Sequence, residues 1–61
     1  MIKVKSKLTN KIYYFRFFSE NKNIFYYTPT TEANKFNFGF INNFEPIGIT
    51  WEKIRKTNEQ G

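Results

Sequence analysis

Apolar side chains recur at every second position along most of this sequence, and those places are filled mainly by phenylalanine and tyrosine. A repeat of two belongs to a pleated strand, whose successive side chains point to opposite faces, so the chain is constrained to a small sheet. Ile2, Val4 and Leu8 alternate with Lys3, Lys5 and Lys7, which predicts a half-buried first strand with a lysine-lined outer face. Lysines on such a strand also discourage edge-to-edge pairing. Thr9, Asn10 and Lys11 read as a turn.

Ile12–Phe18, almost wholly β-branched and aromatic, is the strongest strand signal. Strict alternation puts Tyr13, Phe15 and Phe17 on one face and Ile12, Tyr14, Arg16 and Phe18 on the other. With both faces apolar apart from Arg16, the strand is either covered on both sides or keeps one face for a partner. Residues 19–23 are polar and suit a hairpin loop. Ile24–Thr28 returns as a strand, with Phe25 and Tyr27 opposing Ile24 and Tyr26, until Pro29 ends it. Residues 30–34 form a loop or a single helical turn that Thr30 is able to cap.

Alternation resumes over residues 35–41, with Phe36, Phe38 and Phe40 on one face and Asn37, Gly39 and Ile41 on the other. Asn42 and Asn43 signal a turn, and residues 44–50 are a fifth strand candidate interrupted by Pro46 and Gly48. Two readings stand for the last segment. Thr50 caps a helix over residues 51–56 with Trp51 and Ile54 on one side, or Ile47, Ile49 and Trp51 continue a strand. The helix is preferred. The expected fold is therefore α+β or mainly β: a small antiparallel meander of four to five strands with a short C-terminal helix. It forms a single domain over residues 1–56, with a frayed tail over 57–61.

The chemistry available to this fold is narrow. Histidine, cysteine and aspartate are absent, which removes most acid–base groups and the usual metal ligands, and no disulfide can form. The five glutamates (Glu20, Glu32, Glu45, Glu52 and Glu59) have no telling spacing, and Ser6 and Ser19 lack a histidine to activate them. No catalytic residue, metal site or cofactor is assigned, and a non-enzymatic role is expected. The N-terminal residues lack the apolar stretch of a signal peptide, and no uncharged run is long enough to cross a bilayer. A cytoplasmic protein of a bacterium or of a phage-infected cell is expected, with no membrane partner.

What the chain does carry is ring surface. Thirteen of 61 residues are aromatic, more than one face of a thin sheet shelters. Rings left on an open face would form an apolar patch beyond that of ordinary monomers, which implies a second subunit or another protein. Tyr14, Arg16, Phe18, Tyr26 and Trp51 are the protein-interface candidates, because Tyr, Trp and Arg are enriched at binding hot spots. A chain this short also gains from oligomerisation, so a homodimer is expected.

The run Phe38-Gly39-Phe40-Ile41 resembles the aromatic-glycine-aromatic-aliphatic core of the RNA-binding motif in cold-shock domains and RNA-recognition motifs. Asn37 stands where that pattern has its first glycine, and no tryptophan-bearing strand precedes the run. The resemblance implies that Phe36, Phe38 and Phe40 stack on bases while the glycine permits close approach. Against it, an alternating apolar strand face is more often buried, so core packing is the preferred reading for these rings. The net charge of +5 adds Lys3, Lys5, Lys7, Lys35, Arg55 and Lys56 as phosphate-contact candidates. AT-rich codons, which encode most of this sequence, also supply lysine and phenylalanine without functional demand, and point to a low-GC bacterium, its phage or a mobile element.

The residues thus lead first to a small homodimeric protein-protein interaction module, such as a phage or mobile-element inhibitor of a host or anti-phage defence protein. The alternative is a single-stranded nucleic-acid-binding protein that uses an aromatic strand face and lysines.

Overall fold

A computed structural model describes the backbone of residues 1–60 and the side chains of residues 1–57. Five antiparallel strands form one open sheet: β1 (Lys3–Ser6), β2 (Ile12–Phe18), β3 (Ile24–Thr28), β4 (Asn37–Phe40) and β5 (Phe44–Pro46). Their spatial order is β4-β3-β2-β1-β5. A helix, α1 (Trp51–Gln60), follows. The expected meander with its short helix is therefore what the chain forms.

β4 and β5 are the two edges of the sheet, yet only the 3-10 turn Ile41–Asn43 separates them in sequence. The sheet must curl to bring its edges that close. The hydrogen bonds record the crossing: the Ile41 N–H donates to the Asn23 carbonyl on the β3 side (3.0 Å). Two residues later the Asn43 carbonyl accepts from the Lys7 N–H on the β1 side (2.9 Å).

The concave face holds the core. Val4, Phe15, Phe25, Phe44 and Ile54 are buried, with Ile2, Tyr13, Phe18, Tyr27, Ile41, Ile49 and Trp51 packed around them. Phe25 is at the centre, its ring 4.9 Å from Trp51, 5.1 Å from Phe44 and 5.8 Å from Phe15. Full burial of one such ring contributes about 1.5–3 kcal/mol. Helix α1 covers this face through Trp51 and Ile54 at i, i+3 spacing. The Thr50 side chain caps it by accepting from the Lys53 N–H (3.2 Å), and the Trp51 indole N–H donates to the Phe44 carbonyl (3.2 Å). Tyr27 packs 4.8 Å from Tyr13, and its phenol pKa is raised above 10.0 by burial first and by Tyr13 second.

Several boundaries differ from the periodicity. Leu8 does not join the inward row; it lies exposed in the turn after β1, where the buried Ser6 hydroxyl accepts from the Leu8 and Thr9 N–H groups. Asn10 takes the left-handed backbone (φ 62°) that this turn needs. The segment after Pro29 is a loop with a turn at Thr31 and Glu32, as one of the two readings expects, but β4 begins only at Asn37 and β5 stops at Pro46. Helix α1 runs past Lys56 to Gln60 because packing of Trp51 and Ile54 supports it. The frayed tail expected over 57–61 lies, in Gly61 and in the side chains of residues 58–60, outside the described residues.

The largest correction concerns β2. Phe15 pairs with Tyr27 but Phe17 pairs with Tyr26, so Arg16 is an extra residue, a β-bulge. Beyond it the faces exchange. Phe18 turns inward beside Phe15 (5.1 Å between ring centres), and Phe17 turns outward beside Tyr26 (5.1 Å).

Candidate interface on the uncovered face of the sheet

With α1 on the concave side, no helix covers the convex face, although Thr28, paired there with Tyr14, is fully buried and its hydroxyl donates to the Thr30 carbonyl (2.6 Å) in the β3–β4 loop. The strand pairings say what stands there. Opposite the buried Val4, Phe15 and Phe25 lie Lys3 and Lys5 on β1, Ile12 and Tyr14 on β2, and Ile24 and Tyr26 on β3. Phe17 joins them after the bulge, and Phe38 and Phe40 on β4 pair with Tyr26 and Ile24. Glu45 on β5 pairs with Lys5.

The rings of this face remain in contact with solvent. Phe38 is 64% exposed, Phe40 48%, Phe36 44% and Phe17 43%. Core packing, the preferred reading for Phe36, Phe38 and Phe40, is overturned: their row faces away from the helix because Gly39, between Phe38 and Phe40, faces toward it. The glycine itself also acts differently from what the resemblance implies. A Cβ on Gly39 would meet the Phe44 ring 2.6 Å away and Tyr27 3.2 Å away, so its bareness accommodates the core from within.

Phe36, just before β4, stands edge-on to Phe17 (5.4 Å, 85°), and the Arg16 guanidinium lies 5.5 Å from the centre of the Phe36 ring. Arg16 also donates through Nη1 to the Thr31 carbonyl (3.3 Å), which ties the β3–β4 loop to the bulge. The bulge thus supplies a ring and a cation to one end of the face. Lys3 and Lys5 provide a second basic row two strands from β3, and Lys35 directly precedes Phe36.

The structure divides both sets of candidates. Of the protein-interface residues, Tyr14, Arg16 and Tyr26 belong to the uncovered face, whereas Phe18 and Trp51 pack together under the helix (6.2 Å). Of the nucleic-acid set, Lys3, Lys5, Lys35, Phe36, Phe38 and Phe40 gather on or beside that face. Lys7 lies in the turn after β1. Arg55 and Lys56 belong to the helix on the opposite side. There Arg55 donates to the Asn23 side-chain oxygen (3.3 Å) and the Lys22 carbonyl (3.5 Å), and Lys56 pairs with Glu52 (3.5 Å). Phe17 went unrecognised because the bulge that turns it outward has no signature in a sequence read at period two.

Among the described residues no three glutamates gather as a metal site, and no helix is long and apolar enough to cross a membrane. Comparison with protein-family models, with curated proteins and with solved structures found no match to this chain.

Proposed function

We propose that this chain is a non-catalytic binding protein that holds single-stranded nucleic acid on the uncovered face of its sheet. The observation that carries the reading is the joint presence there of solvent-exposed rings and cations. Phe17, Phe36, Phe38 and Phe40 offer π-faces or edges to unpaired bases, while Lys3, Lys5, Arg16 and Lys35 offer charge to phosphates. Stacking is tolerant of sequence because every base has a π-face, and lysines follow the backbone as point charges. A cytoplasmic setting in a bacterium or phage-infected cell belongs to this proposal.

A second reading, self-association through the same face as a homodimer, is favoured by the number of large apolar side chains exposed there, Phe17, Phe38, Phe40 and Ile12 among them. The role of a phage or mobile-element protein that occludes a host or defence enzyme goes with this protein-binding reading. It is the weaker of the two on electrostatic grounds. Two copies docked face to face would bring Lys3, Lys5 and Arg16 of each toward like charges, whereas a polyanion neutralises them.

Fluorescence anisotropy with a short unstructured oligonucleotide tests the proposal. Binding should be measurable at low salt and fall steeply as salt rises, because phosphate contacts release counterions. Phe38→Ala and Phe40→Ala should each weaken it by about 1–3 kcal/mol, the worth of one stacked base. Absence of binding at low salt, together with a dimer in light scattering that a charge at Phe38 dissociates, would replace this reading with the second one.

A further inference from the structure

At the β1–β5 edge of the same face, a recess of about 400 Å³ is lined by Lys5, Ile12, Glu45, Pro46, Ile47 and Gly48. We infer that this recess is a subsite for a guanine base, with Lys5 and Glu45 reading its hydrogen-bonding edge. The inference rests on the nucleic-acid reading above and adds base preference to it.

The walls suit a flat ring. Ile12 and Ile47 are exposed apolar side chains (52% and 45%) on a face otherwise charged at this end, and Pro46 adds to the lining. Gly48, with φ 76°, leaves open space where a side chain would stand. A ligand has room to approach the backbone there. The volume falls within the range of small-molecule sites.

The polar groups set the choice of base. Lys5 and Glu45 are direct partners across the β1–β5 ladder, and Lys5 and Ile12 are partners across β1–β2. Among the described residues the Lys5 ammonium and the Glu45 carboxylate make no ion pair or hydrogen bond, so both are free for a ligand. Side by side they present a donor followed by a two-oxygen acceptor. Guanine presents the complement: the O6 acceptor, then the N1–H and N2–H donors in sequence. Adenine and cytosine each set a ring-nitrogen acceptor beside their amino group, which would face the carboxylate unfavourably. Thymine and uracil have one N–H between two carbonyls. Only guanine satisfies the carboxylate with two adjacent donors and Lys5 with an acceptor.

The recess is also reachable from the rings. Strands in a sheet are spaced about 4.8 Å apart, so a chain of a few nucleotides laid across the strands passes from β4 over Lys3 and Lys5 to β5. Unpaired bases are read on this edge in known recognition modes.

The test compares thymine oligonucleotides of about ten residues, within the usual site size, with and without one central guanine. The guanine oligonucleotide should bind about tenfold tighter, within the discrimination a bidentate pair provides. Replacing that guanine with hypoxanthine, which lacks the amino group, should give an intermediate affinity. Glu45→Gln should abolish the preference while tightening the all-thymine oligonucleotide, because it removes a negative charge from a basic face. A merely solubilising role for Glu45 on its edge strand would leave the ratio unchanged, and that result overturns the inference. Competition by guanosine monophosphate but not adenosine monophosphate, without any preference between the oligonucleotides, keeps the guanine chemistry and assigns it to a free nucleotide. Equal binding of both oligonucleotides with no nucleotide competition removes the subsite and leaves the proposed function standing. No binding of either oligonucleotide or nucleotide removes both.

Discussion

The Phe44 ring fills the space beside Gly39, its Cε1 2.6 Å from where a glycine Cβ would be. The contact joins the two edge strands of the sheet from inside, since Gly39 is on β4 and Phe44 opens β5. Phe44 cannot easily retreat, because its ring also touches Tyr13, Phe25 and Tyr27. Gly39→Ala should therefore destabilise the fold by about 1–3 kcal/mol through overpacking, measured as a lower denaturant midpoint at unchanged slope. A midpoint equal to that of the parent would show that the edges are free to separate.

Core and face should respond in opposite ways to the same truncation. Phe25→Ala removes a fully buried ring and should cost about 3–5 kcal/mol, much of the whole stability expected for a domain of this size. Phe38→Ala removes a ring that is 64% exposed and should shift stability by no more than about 0.5 kcal/mol. Circular dichroism melts of the two variants check this. A large loss at Phe38 would mean that its ring supports the sheet and is not kept for a ligand.

Much of this architecture is legible in the sequence where alternation is uninterrupted. In β3, Phe25 and Tyr27 oppose Ile24 and Tyr26 as the pattern predicts, and Thr50 caps α1 as its position before Trp51 predicts. Legibility fails where geometry depends on more than period. The bulge at Arg16 exchanges Phe17 and Phe18, which no count along the strand anticipates, because a bulge is fixed by pairing with β3. The exposure of Phe36, Phe38 and Phe40 likewise runs against the core packing that an alternating apolar face favours. Alternation identifies which residues share a face, but only the placement of α1 decides which face is covered. The recess at Lys5 and Glu45 joins residues forty positions apart in sequence and depends on the curl that brings β5 beside β1.

Arg16 is placed to organise one end of the uncovered face, through its contact with Phe36 and its hydrogen bond to the Thr31 carbonyl. Arg16→Lys keeps the charge but loses the planar group that meets both partners. Amide hydrogen exchange should accelerate in residues 30–36, and oligonucleotide affinity should fall more than the salt dependence does. If exchange in that loop matches the parent, Arg16 acts only as a charge.

Tyr27 makes the fold sensitive to alkali. Its phenol ionises above 10.0 in the folded chain, because half-burial disfavours the phenolate and Tyr13 adds to this. In the unfolded chain the same group ionises near pH 10. The raised value means that the fold holds the proton more tightly than the unfolded chain does. Its contribution is thus fully present below pH 10 and is lost as pH rises through the folded value. Tyr27→Phe has no proton to lose, so its denaturant midpoint should decline less than the parent's between about pH 9 and 11. Every other side chain is the same in the two proteins, so the difference between the two curves reports Tyr27. Parallel curves would mean that the Tyr27 hydroxyl is as well solvated in the fold as outside it, and that the Tyr13–Tyr27 contact leaves water at the concave side of the sheet.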